Sequence, residues 1–164
     1  LIPDDPKKAS QAQIVENWAD TTLAKSIKII FLEEVMNNPE LIFSLLPNEV
    51  SNSMKKLYLE IPLKFGSQIS GLINQGDKES LILNLEYLTN LIEEDDFIIG
   101  TELSIADLSV ASHLSLLNFP NSSGKDLQGK GCSKYINNPR LKNLFIWRDL
   151  IEDKLKSTND DESC

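Results

Sequence analysis

The sequence predicts an all-α domain of five or six packed helices, and three observations carry that prediction. Apolar residues recur at three- and four-residue steps through most of the chain. No segment sustains the period-two alternation of a half-buried strand, and Pro, Gly and Asn punctuate the pattern at helix-length intervals. With 164 residues and no internal repeat, the chain fits one domain, placed at residues 1–156, followed by a polar tail at 157–164 that is expected to be disordered.

The first helix begins where Asp5 can accept from the orphan amides of the opening turn and Pro6 takes the first helical position, where its missing N–H costs nothing. Beyond it Ala12, Val15, Ala19, Leu23, Ser26 and Ile30 form one stripe, so a single amphipathic helix of about thirty residues is expected. Asn37-Asn38-Pro39 stops it and restarts the chain as a short helix from Pro39 to Leu46. A third segment, Ser51 to Asn74, carries Met54, Leu57, Ile61, Phe65, Ile69 and Leu72 on one side, with Pro62 and Gly66 as kinks.

A fourth helix starts at Asp77 and carries Leu81, Leu85, Leu88 and Ile92. It ends at the carboxylates Glu93 to Asp96, which, being consecutive, point in different directions and read as a solvated helix end, not a metal site. The fifth, Ile105 to Leu117, is apolar on every side and belongs at the centre of the core. From Asn118 to Asn138 the chain carries Pro120, Gly124, Gly129 and Gly131 without period, which reads as a long loop. Asn138 then caps a last helix, with Pro139 at its first position and Leu141, Leu144, Phe145, Arg148, Ile151 and Leu155 along its stripe.

Composition narrows the function classes. Sixteen basic against 25 acidic residues give a net charge of −9, which disfavours nucleic acid and anionic membranes as partners. Mean hydropathy is −0.20, no apolar run is long enough to span a bilayer, and the opening residues lack a secretory pattern. Cys132 and Cys164 are too few for a disulfide framework, so a reducing cytoplasm is expected. The chain opens on Leu1 instead of Met, which reads as a start inside a longer gene product or as trimming.

The most specific local feature is Leu103-Ser104-Ile105-Ala106-Asp107-Leu108. Ser104 can cap a helix while the Asp107 carboxylate reaches back to the Ser104 amide, a capping box with Asp in place of Glu, and Leu103 and Leu108 occupy the positions of a hydrophobic staple. Losing either cap residue should cost about 0.5–2 kcal/mol.

Phe97-Ile98-Ile99-Gly100, followed by that box and then by Asn138-Pro139-Arg140-Leu141 with Trp147, resembles the C-terminal helical domain of the glutathione transferases. The Asp5-Pro6 helix start with Trp18-Ala19-Asp20 agrees. The resemblance implies a glutathione-transferase C-terminal-like helical bundle in which Ser104 and Asp107 are folding determinants without a catalytic role. It further implies an upstream thioredoxin-like domain, glutathione as co-substrate of a full-length protein, a hydrophobic electrophile as acceptor, and a face for a homodimer. No cofactor, metal or catalytic residue is assigned to this chain, which shows no βαβ pattern of its own.

In that family the acceptor lies against the first helix of this domain, which makes Trp18, Thr21, Thr22 and Lys25 the candidate substrate-binding residues, against the alternative that Trp18 is ordinary packing and Lys25 is solvated. His113, the single histidine, reads as structural. Cys132, between Lys130 and Lys134, is weighed as a reactive thiol, because ammonium groups favour thiolate, against an ordinary loop cysteine. Two functions follow: the helical half of a glutathione-transferase-like protein, inactive alone, or a non-catalytic protein–protein interaction module on the same fold.

Overall fold

A computed structural model describes residues 1–47, 49–51, 54, 75–94 and 96–161, and among these every regular element is helical. The one piece of β geometry among them is an isolated antiparallel bridge between Asn118 and Gly131. Helices α1 (Pro6–Trp18) and α2 (Ala24–Asn37) are joined through a π turn, Ala19–Leu23, in which the Ala24 amide reaches back to the Ala19 carbonyl. The long helix read from the stripe is therefore one rod with a wide turn in it. That turn separates two packing tasks: α1 lies along the central helix, while α2 also meets the helices on the other side of the core.

Local chemistry sets the starts. Asp5 Oδ1 accepts from the Lys7 and Lys8 amides at 2.7 and 3.2 Å. Asn38 Oδ1 accepts from Leu41 at 3.2 Å and opens α3, Pro39–Leu45. The expected kinked segment Ser51–Asn74 lies almost wholly outside the described residues. Helix α4 spans Gln75–Glu94 among the described residues and includes Asp77 in its first described turn.

Helix α5 is Ile105–Leu114, shorter than expected. Its end tightens into a turn: Leu116 and Leu117 donate to the carbonyls of His113 and Leu114 at 3.2 and 3.0 Å, and the Ser115 hydroxyl bonds back to Ala111 at 3.1 Å. Val110, Ala111, Leu114 and Leu117 are buried at the centre of the core. Around them lie Ala19 and Leu23 of the π turn, Leu81, Leu85 and Leu88 of α4, and Leu144 and Ile151 of the last helix.

The glycine-rich stretch is more ordered than its lack of period suggests. It holds a 3-10 turn at Asn121–Ser123 and a short helix α6, Ser133–Ile136, and it is clamped by Phe119 donating to Lys130 and Cys132 donating to Leu117, both at 2.8 Å. Gly131, at φ 144°, lets the two segments approach so closely that a Cβ there would overlap the Leu117 carbonyl. Arg148, 1% exposed, holds the same corner: its Nη1 donates to the Asn118 carbonyl, Nε and Nη2 reach Asp149 Oδ1 at 2.9 and 2.8 Å, and the guanidinium lies over Phe145.

The last helix, α7, runs Lys142–Asp161 behind a 3-10 turn at Pro139–Leu141. Asn138 caps that turn, accepting from the Arg140 amide at 3.0 Å. Residues 157–161, expected in a disordered tail, continue the helix. A polar sequence without breakers can simply extend a helix whose preceding turns are already packed.

Candidate functional site

The entry to α5 is built from its cap. Asp107 and Ser104 are wholly buried; Asp107 Oδ2 accepts from the Ser104 amide at 2.8 Å and from its hydroxyl at 2.7 Å. The Asp107 amide donates in turn to the Ser104 carbonyl at 3.1 Å, and Leu103 and Leu108 are half-buried against the core. Asp107 also does something its spacing does not announce: Oδ1 accepts from the Ile98 amide at 2.8 Å, tying the turn after α4 to the first turn of α5. Three donors surround one buried carboxylate, which is how a buried charge is kept satisfied.

Of the four residues expected against a second domain, Thr21, Thr22 and Lys25 are exposed, while Trp18 is half-buried and packs on the core. The Thr21 hydroxyl is already engaged, donating to the Asn17 carbonyl at 2.6 Å. Ile14, one turn before Trp18, is 69% exposed and extends the outer face of α1 with an apolar side chain.

The π turn also brings together three residues that the sequence keeps far apart. Asp20 Oδ1 accepts from Ser109 Oγ at 2.6 Å and lies 2.9 Å from His113 Nε2, both on α5. These bonds, Ser109's above all and then His113's, hold the Asp20 carboxyl below its ordinary value. The trio contains Ser, His and Asp, yet the carboxylate sits in the middle. The serine proton faces Asp20, and His113 Nε2 faces the same oxygen, so this order joins α5 to the π turn and does not present the serine to a base. The sequence signal for it is that Ser109 and His113 are polar and one turn apart on an otherwise apolar helix.

Cys132 is not an activated thiol. It is 1% exposed, and burial first, then Glu34 and Glu33, push its pKa up to about 12. The flanking lysines that suggested thiolate are outweighed because desolvation penalises the anion and the carboxylates of α2 lie closer in effect. Burial likewise raises the neighbouring Tyr135 hydroxyl. Among the described residues, no three His, Cys, Asp or Glu side chains gather at metal-binding distance, and no helix is long and apolar enough to cross a membrane. Glu93 and Asp96 are both exposed, and Glu93 accepts from Asn143 at 2.9 Å.

The described residues thus define an all-helical bundle organised around a capped, buried α5. No family model and no solved structure matches the chain. Among curated proteins it is similar to FtsZ-localized protein A of Caulobacter vibrioides (strain NA1000 / CB15N), 26% identical over 155 residues that make up 94% of this chain and 56% of that protein. The chain spans about half the length of the curated relative it matches.

Proposed function

We propose that the chain is a protein-binding helical module of the glutathione-transferase type, working in the cytoplasm through the outer face of α1. The observation that carries this reading is the arrangement of that face: exposed Ile14 and half-buried Trp18 on α1, exposed Thr21 and Thr22 on the π turn, and exposed Lys25 in the first turn of α2. An apolar residue left in water beside polar and cationic groups suits a protein contact. The similarity to FtsZ-localized protein A makes FtsZ the partner to try first. Leu103, Ser104, Asp107 and Leu108 set the bundle's geometry, as the resemblance implies, and take no part in chemistry.

Co-sedimentation of the full-length gene product with FtsZ polymers tests it. Binding should fall about tenfold in Ile14→Asp and more modestly in Lys25→Glu, the pattern of a contact with one apolar anchor and a charged rim. Unchanged co-sedimentation in both variants removes the α1 face from the reading.

The second reading keeps the enzyme. Here the same face closes over an upstream thioredoxin-like domain that binds glutathione, and Trp18 with its neighbours positions a hydrophobic electrophile, in a homodimer. Glutathione-dependent turnover by the full-length protein, abolished when Trp18 and Thr22 are replaced while FtsZ binding persists, favours it over the first.

A further inference from the structure

A trough runs between the end of α4 and the outer side of α7, in the layer of the bundle away from α1. Its volume is about 320 Å³. The floor is apolar, built from Ile92, Phe97, Trp147 and Ile151, and the Trp147 indole is fixed there by donating to the Asp96 carbonyl at 3.0 Å. Ile146 and Leu150 rise on the α7 wall, 49% and 55% exposed, one turn apart. Both side chains are half in water, so the apolar lining of the trough reaches its open rim.

The charges of the two ends differ. Exposed Asp96 and Glu93 line the α4 end, next in sequence to Glu94 and Asp95, where the helix C-terminus adds its own partial negative charge. At the far end Lys154 lies over the Phe97 ring at 4.4 Å. From Asn143 to Lys154 the wall is about 16 Å long at 1.5 Å per residue, the length of three helical turns.

We infer that this trough is a docking site for an amphipathic, basic helical segment of a partner protein, separate from the α1 face. Leucine-sized side chains spaced one turn apart on the segment pack against Ile146 and Leu150, and its cationic flank meets Asp96 and Glu93. The chain's net charge of −9 steers such a segment toward it. The acidic α4 end and the two exposed apolar side chains one turn apart on α7 match the cationic flank and the apolar face of such a segment.

The test uses a synthetic peptide of three helical turns with leucines at i and i+4 and lysines on its flanks, beside a scrambled peptide of identical charge. The designed peptide should shift the Trp147 indole resonance and bind in calorimetry, and the scrambled one should do neither. Ile146→Asp and Leu150→Asp, both at exposed positions that leave the core intact, should each weaken binding at least about tenfold. Asp96→Lys should weaken it several-fold and flatten its salt dependence. Ile14→Asp should leave it unchanged, which keeps this site distinguishable from the α1 face. Equal binding of the scrambled peptide, or indifference to Ile146→Asp and Leu150→Asp, overturns the proposal. So does a concentration-dependent dimer in sedimentation that Ile146→Asp abolishes, since the occupant is then a second copy.

Discussion

A single carboxylate decides how α5 begins. Asp107, itself wholly buried, accepts from Ser104 twice and from Ile98 once. Asp107→Ala strands the buried Ser104 amide and hydroxyl and the half-buried Ile98 amide, so its cost should exceed the ordinary cap value and reach about 3–5 kcal/mol, while Ser104→Ala should cost about 1–2 kcal/mol. Urea titrations of the two variants, read against each other, check the order; equal losses would mean that the amide bonds from Ser104 and Ile98 contribute nothing beyond the hydroxyl's. The Ser104–Asp107 half of this constellation is legible because caps are local chemistry at fixed spacing. The Ile98 half is not, because nothing in an isoleucine's side chain advertises where its amide will point. Cys132 shows the same limit from the other direction: the sequence leaves a thiolate beside Lys130 and Lys134 weighed against an ordinary cysteine, and burial with the sequence-distant Glu33 and Glu34 favours the ordinary one.

At the scale of elements, the stripes of α1, α4 and α7 and the all-round apolar α5 could be read because a helix buries one face at a period that survives in sequence. The π turn could not. Ala12, Ala19, Leu23 and Ile30 are buried and fit an unbroken helical stripe as well as an interrupted one. The stretch from Asn118 to Asn138 was legible only as a lack of period. Its order comes from non-local bonds, the Phe119–Lys130 and Leu117–Cys132 pairs and the Arg148 clamp, which leave no pattern in neighbouring residues. Gly131→Ala should break that corner, since the new methyl meets backbone that cannot yield, at a cost of about 2–3 kcal/mol. Gly129→Ala is the control: its φ of 72° carries only the left-handed penalty, roughly 1 kcal/mol, with nothing near the new Cβ. Equal thermal shifts for the two would show that the close approach at Gly131 is dispensable.

For the whole molecule, Asp20 contributes to a loss of stability toward acid pH, and Cys132, with Tyr135 beside it, toward alkaline pH. Asp20's lowered pKa contributes stability that is present above its ordinary 3.8 and is lost as the pH falls through the native value. Cys132 stays protonated in the fold after the unfolded chain has released its proton. Its contribution is complete below 9.0 and is lost as the pH climbs from there toward about 12. Denaturation midpoints across pH should therefore decline at both ends, with Asp20→Asn flattening the acid side and Cys132→Ala the alkaline side. A decline unchanged by either substitution would assign it to other groups.

The Leu1 carbonyl accepts from the Ile105 amide at 2.9 Å, so the first residue of the chain is fastened to the first turn of α5. Tension applied at Leu1 meets one hydrogen bond, then the Asp5 cap, and then a stretch of α1 whose side chains are mostly in water until Ala12, the first fully buried residue. The bundle therefore carries its own short spring. Under a steady pull about two turns of helix should peel away one bond at a time and re-form when the force drops, while the hydrophobic core, engaged only from Ala12 onward, keeps its shape.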